Sequence, residues 1–144
     1  MTEITTQAQE PATQPIEINE LGKIRQEALS QGVSVIKILE ETYGHSPEGL
    51  IAQLGGLLRM PVLNMETLRS LDPAFELLPF AEAAKHECAL FCKDDEYLLA
   101  VSDPFSPKLR SWVEERFDIG VLWYLVHPAD LSAFFTQQEQ SMRA

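Results

Sequence analysis

Basic residues are scarce in this sequence. Only 11 Lys and Arg stand against 22 Asp and Glu, a formal net charge of -11. That balance argues against a nucleic-acid-binding surface, which needs a basic stripe, and against anionic membrane surfaces. It is compatible with a protein partner that carries a basic patch. Long apolar runs are missing too. No stretch approaches the roughly 20 residues that span a bilayer. The opening residues, MTEITTQAQEPATQPIE, have neither the basic nor the apolar region of a secretory signal. The chain is therefore expected in the cytosol.

Cysteine is rare, with Cys88 and Cys92 alone in "CALFC". On a strand the two share a face at a separation too long for an easy disulfide, and the only nearby metal ligand is His86. Two buried, reduced thiols are expected. No G-x-x-x-x-G-K-S/T phosphate loop occurs, so the chain by itself should not hydrolyse a nucleoside triphosphate. His45, His86 and His127 are widely spaced, each near an element end, which gives no support for a metal site. The acidic trio Asp94, Asp95 and Glu96 lacks the loop length and glycine of an EF-hand and reads as a solvated turn. No catalytic residue, cofactor or metal ligand is assigned, and the chain is read as not an enzyme.

What is present is enough for a core: 45% of 144 residues are apolar. Residues 1–15 are Thr, Gln, Glu and Pro with almost nothing to bury, and read as a disordered leader. From Ile16, Leu21, Ile24 and Ala28 recur at helical spacing up to Gly32. A second helix is expected over Val33 to Tyr43, with Val35, Ile38, Leu39 and Thr42 on one side and Gly44 closing it. A third opens at Ser46-Pro47-Glu48, buries Leu50, Ile51, Leu54, Leu57 and Leu58, and stops at Pro61. Gly55-Gly56 inside it points to close helix packing.

The second half reads differently. "DPAFELLPFAEAAKHE" suggests two short helical pieces punctuated by Pro79. "CALFCKDDEYLLAVSDP" suggests a hairpin turning at Asp94-Asp95. A helix over 106–117, a strand over 120–127 and a last helix from Pro128 complete the pattern. Trp112, Trp123, Tyr124, Phe134 and Phe135 follow helix or strand periods and are taken mostly as core. Asp103-Pro104 ends a strand and Ser106-Pro107 starts a helix, so Asp103 needs no catalytic role to explain it.

The fold class expected is α+β. Residues 16–68 form a small helical subdomain, and residues 69–144 an α+β subdomain with a three-stranded antiparallel sheet and packed helices.

This ordered series resembles the N-terminal domain of type II secretion and type IV pilus assembly ATPases, also found as an accessory domain on some bacterial glycosyltransferases. It is carried by "SQGVSVIKILEETYG", "SPEGLIAQLGGLLRMPVLNME", Leu77-Leu78-Pro79, the run from Ala100 to Pro104, and Asp130-Leu131. The resemblance implies docking or regulation rather than catalysis: a contact with the cytoplasmic part of an inner-membrane protein or with a downstream catalytic module. It also implies a fragment of a longer protein, placed at the inner membrane through a partner or a downstream region. A free-standing adaptor is the remaining alternative.

Some family members bind cyclic di-GMP through two copies of an Arg-Leu-Gly helix motif. Here Leu21-Gly22 is kept but Glu20 stands where the arginine belongs, and a second copy near "SVIKIL" lacks both arginine and glycine. A carboxylate there opposes a phosphate, so the cyclic di-GMP sensor is kept as the alternative to docking. The docking surface is placed on the helical half, where Arg25, Lys37 and Arg59 sit beside apolar positions.

Overall fold

The structure is a computed structural model and describes residues 15–44 and 46–143. Almost all of the expected leader, and His45, lie outside the described residues. The chain divides into two compact units between Arg59 and Met60.

The first unit contains α1 (Ile18–Gln31), α2 (Val35–Tyr43) and α3 (Pro47–Leu58). Helix α1 buries Leu21, Ile24 and Ala28, as their spacing requires, and ends at Gly32 with φ 69. Before it, Ile16 is buried and its N–H donates to Gln53 Oε1 at 3.0 Å. Ser34 caps α2 by accepting the Lys37 N–H at 3.1 Å, and Ser46 caps α3 by accepting the Gly49 N–H at 3.1 Å. In α2, Val35, Ile36, Ile38 and Leu39 are buried. Thr42, expected on that side, is exposed, and Ile36 takes its share of the apolar face. Helix α3 buries Leu50, Ile51, Leu54 and Gly55, while Leu57 and Leu58 are only half-buried.

The second unit contains β1 (Val62–Leu63), α4 (Met65–Ser70), β2 (Asp72–Pro73), α5 (Phe80–His86), β3 (Cys88–Lys93), β4 (Glu96–Val101), α6 (Pro107–Arg116), β5 (Val121–Val126) and α7 (Pro128–Arg143). The α+β class holds, with seven helices among the described residues, but the sheet has five strands rather than three, in the order β1-β5-β4-β3-β2. Nor is it antiparallel throughout. β2–β3 and β3–β4 are antiparallel, whereas β4–β5 and β1–β5 are parallel. The reason is the connection: helix α6 carries the chain from the end of β4 back to the start of β5, and such a crossover makes neighbours parallel. The added strands β1 and β2 have two residues each, too short for a period of two to show in a sequence.

The hairpin turns at Asp94-Asp95 as expected, with φ of 51 and 67. Both signs are positive, which is the two-residue geometry that suits the twist of a hairpin. The expected pair of helical pieces over 72–87 is one helix only. Asp72 and Pro73 pair with Cys92 and Phe91 instead, and the Leu77 and Leu78 amides make a single turn onto the Ala74 carbonyl, both at 3.0 Å.

Both sheet faces are covered. Ala89, Phe91, Leu98, Ala100 and Val126 point to one side, where they meet Leu68 of α4 and Leu131 and Phe134 of α7. Cys88, Leu90, Leu99 and Val101 point to the other, against Ala83 of α5 and Leu109 and Val113 of α6. The alternation along β3 and β4 is the strand period expressed as two cores. Of the five aromatics taken mostly as core, Phe134 is buried and the other four are half-buried against these clusters.

Candidate functional site

On α1 the exposed side carries a pattern of its own. Ile18, Gly22, Arg25 and Leu29 follow a spacing of four, three and four, so they form one stripe. Ile18 is 63% exposed and Leu29 67%, the two most exposed large apolar side chains described. Between them Gly22 leaves the backbone open, since a Cβ there would meet nothing within 4 Å. Arg25 is exposed in the same row. Lys37 is exposed on α2, and Arg59 is exposed just past α3, holding a left-handed φ of 56. The three cations proposed from sequence thus stand on separate elements of the first unit. The apolar half of the α1 stripe was missed. Its signal was present, because Ile18 and Leu29 fall off the buried spacing of Leu21, Ile24 and Ala28.

In the second unit a groove of about 640 Å³ is lined by His86, Ser106, Lys108, Leu109, Trp112 and Glu115 among others. Its wall is a stacked pair: the His86 and Trp112 rings lie 3.8 Å apart and 13° from parallel. Ser106 Oγ accepts the Leu109 N–H at 3.2 Å and so caps α6. Arg116, at the other end of α6, donates to the Leu77 carbonyl at 2.9 Å and to Glu82 Oε1 at 3.0 Å. The Arg116–Glu82 pair and the His86–Trp112 stack tie α5 to α6.

Asp103 follows the end of β4 and accepts the Phe105 N–H at 3.3 Å, the bond that turns the chain toward α6. Burial pushes its carboxyl above the usual range, and that hydrogen bond pulls the other way. His127 is buried, and its Nδ1 accepts the Ala129 N–H at 3.0 Å. It caps α7. His45 lies outside the described residues, and among the described residues no three His, Cys, Asp or Glu side chains gather as metal ligands would. Cys88 is buried as expected, but Cys92 is only half-buried. Cys92 lies near the hairpin tip, where the sheet ends.

No helix among the described residues is long and apolar enough to cross a membrane. No curated protein matches the chain. A solved structure described as "Structure of MshE with cdg" shares the fold with a TM-score of 0.61. It is 17% identical over 85% of this chain and 89% of that one, a likeness of fold. The MshEN domain family matches residues 58–144, which takes in the whole sheet and every helix from α4 to α7. The resemblance to the N-terminal domains of type II secretion and type IV pilus ATPases is thereby shown, and the chain belongs to the MshEN domain family.

Proposed function

We propose that this chain is a non-catalytic docking and regulatory domain of a secretion-type ATPase or a membrane glycosyltransferase. It binds the cytoplasmic part of an inner-membrane protein, or its own downstream catalytic module, through the first unit. The exposed stripe of α1 carries the reading: two large apolar side chains flank a glycine and an arginine on a helix whose other side is buried. Exposed apolar side chains in a row mark association surfaces, and an arginine among them supplies directional bonds. Lys37 and Arg59 belong to the same proposed surface. The test is titration of the whole chain with the partner's cytoplasmic part. Leu29→Glu together with Arg25→Glu should weaken binding at least about tenfold, which is about 1.4 kcal/mol. Unchanged affinity in a folded double variant overturns the surface.

A second reading, a cyclic di-GMP sensor, is favoured by one observation: a solved structure that shares this fold is described as MshE with cdg. The objection is local. Glu20 stands one residue before Leu21-Gly22, where a phosphate would need a cation. Calorimetric titration with cyclic di-GMP separates the two readings. Micromolar binding puts the sensor ahead, and absence of heat together with an unchanged melting temperature leaves docking.

A further inference from the structure

Strand β5 is not fully paired. On one side β4 runs beside it from Val121 to Leu125. On the other, β1 meets only Leu125 and Val126. The Leu125 N–H donates to the Pro61 carbonyl at 2.9 Å, which fixes the direction in which that residue's backbone groups point. Along a strand these groups alternate from side to side. Val121 and Trp123 therefore turn their N–H and C=O toward the side that β1 leaves unpaired, and Leu122 and Tyr124 turn theirs toward β4. Among the described residues no backbone bond from another segment reaches Val121 or Trp123 on that side. Extending the register back from Val62 and Leu125 shows why β1 cannot fill the gap. The Trp123 carbonyl would need the N–H of residue 61, which is proline and has none.

The gap is about 13 Å long at roughly 3.3 Å per residue, and its own residues Val121 to Tyr124 are uncharged, with Arg110 standing over the Trp123 ring at 4.9 Å. Leu122 is 46% exposed and Ile119 39%, with Val62 at 41% on the neighbouring strand. The register Tyr97–Val121 puts the hairpin tip at the same end of the sheet as the start of β5. Exposed Asp94, Asp95, Glu96 and Asp118 therefore gather there, with Lys93 the cation among them.

The geometry points to an added strand: an extended segment of a partner protein lies along Val121–Tyr124, with apolar residues at alternate positions and a Lys or Arg at its acidic-end neighbour. Unmet donors and acceptors in strand register select extended backbone rather than a helix. Charge selects the partner, since a second copy would bring its own acidic groups onto Asp118 and the hairpin. This deepens the docking reading but uses the second unit, so each surface can fail without the other.

The test is amide hydrogen exchange, read by NMR on the labelled whole chain. The probe is the synthetic peptide Lys-Lys-Val-Thr-Val-Thr-Val. The Val121 and Trp123 amides should exchange freely alone and gain at least about tenfold protection with the peptide. A peptide N-methylated at alternate residues, or one with Glu-Glu for Lys-Lys, should give little. Leu122→Lys, a change at an exposed site, should lower peptide affinity about tenfold without altering the fold. Arg25→Glu should leave the protection unchanged. The proposal is overturned if the two amides gain no protection, if all three peptides protect them equally, or if protection follows chain concentration without peptide. That last result would assign the edge to a second copy.

Discussion

Asp95 occupies a backbone conformation that L side chains adopt reluctantly, with φ of 67 beside Asp94 at 51. Asp tolerates it better than most residues, but Gly does so without steric penalty. Asp95→Gly should stabilise the chain by about 0.5–1 kcal/mol, seen as a higher denaturant midpoint at unchanged slope. A drop would mean that the carboxylate makes a bond the turn depends on. Cys88 gives a second prediction at this scale. Its thiol is buried, and burial pushes its pKa from the ordinary 9.0 to about 12. The thiolate is the nucleophile, so iodoacetamide at pH 8 should modify Cys92 and spare Cys88 until the chain unfolds. The linkage has a sign. A pKa raised by folding gives a contribution intact below the unfolded value and lost as pH rises, so stability should fall between pH 9.0 and about 12. Cys88→Ala should flatten that fall in a urea titration across the window, and an unchanged slope would remove the cause.

At the level of the element, caps mark where most helices begin. Ser34, Ser46, Asn64 and Ser106 each accept an amide from the first turn that follows. Two of these four, Ser46 and Ser106, were legible, because Ser followed by Pro before a helical apolar pattern has few other uses. Ser34 was read inside a helix expected from Val33, which begins at Val35 instead. Asn64 was not legible, since the six residues of α4 are too few to display a period. Ser106→Ala should cost about 1 kcal/mol. The loss should appear first as faster exchange of the Leu109 amide, which donates to Ser106 Oγ at 3.2 Å. Uniform loss of protection across the unit would mean that α6 has no local stability of its own. Strand β5 shows the limit of reading by element. Its apolar run was recognised, but parallel pairing and the unpaired stretch at Val121–Tyr124 depend on partners far away in sequence.

For the molecule as a whole, the second unit rests on one sheet between two cores. Leu99 is fully buried in the middle strand and faces α5 and α6. Leu99→Ala removes its contacts and leaves a cavity that a sheet paired on both sides cannot close. The expected loss is about 2–5 kcal/mol, a large share of a typical total of about 5–15. Thermal melting followed by near-ultraviolet dichroism would show it through Trp112 and Trp123, which pack against that cluster. A change under about 1 kcal/mol would mean the core collapses around the gap.

The sequence by itself determined the local grammar of this protein. Spacing, caps and turn residues specified the three helices of the first unit, the hairpin at Asp94-Asp95 and the α+β class, because each depends on neighbours within a few residues. The ordered series of these elements was specific enough to carry the family resemblance. Asp103 was legible as a turn residue for the same reason: its bond to the Phe105 N–H spans two positions. Only the tertiary structure decided what long-range pairing decides. It made the sheet five-stranded and mixed, stacked His86 on Trp112, and left the row of Ile18, Gly22, Arg25 and Leu29 exposed. Burial is a property of which elements meet, and a periodic pattern names a helix face without naming what covers it.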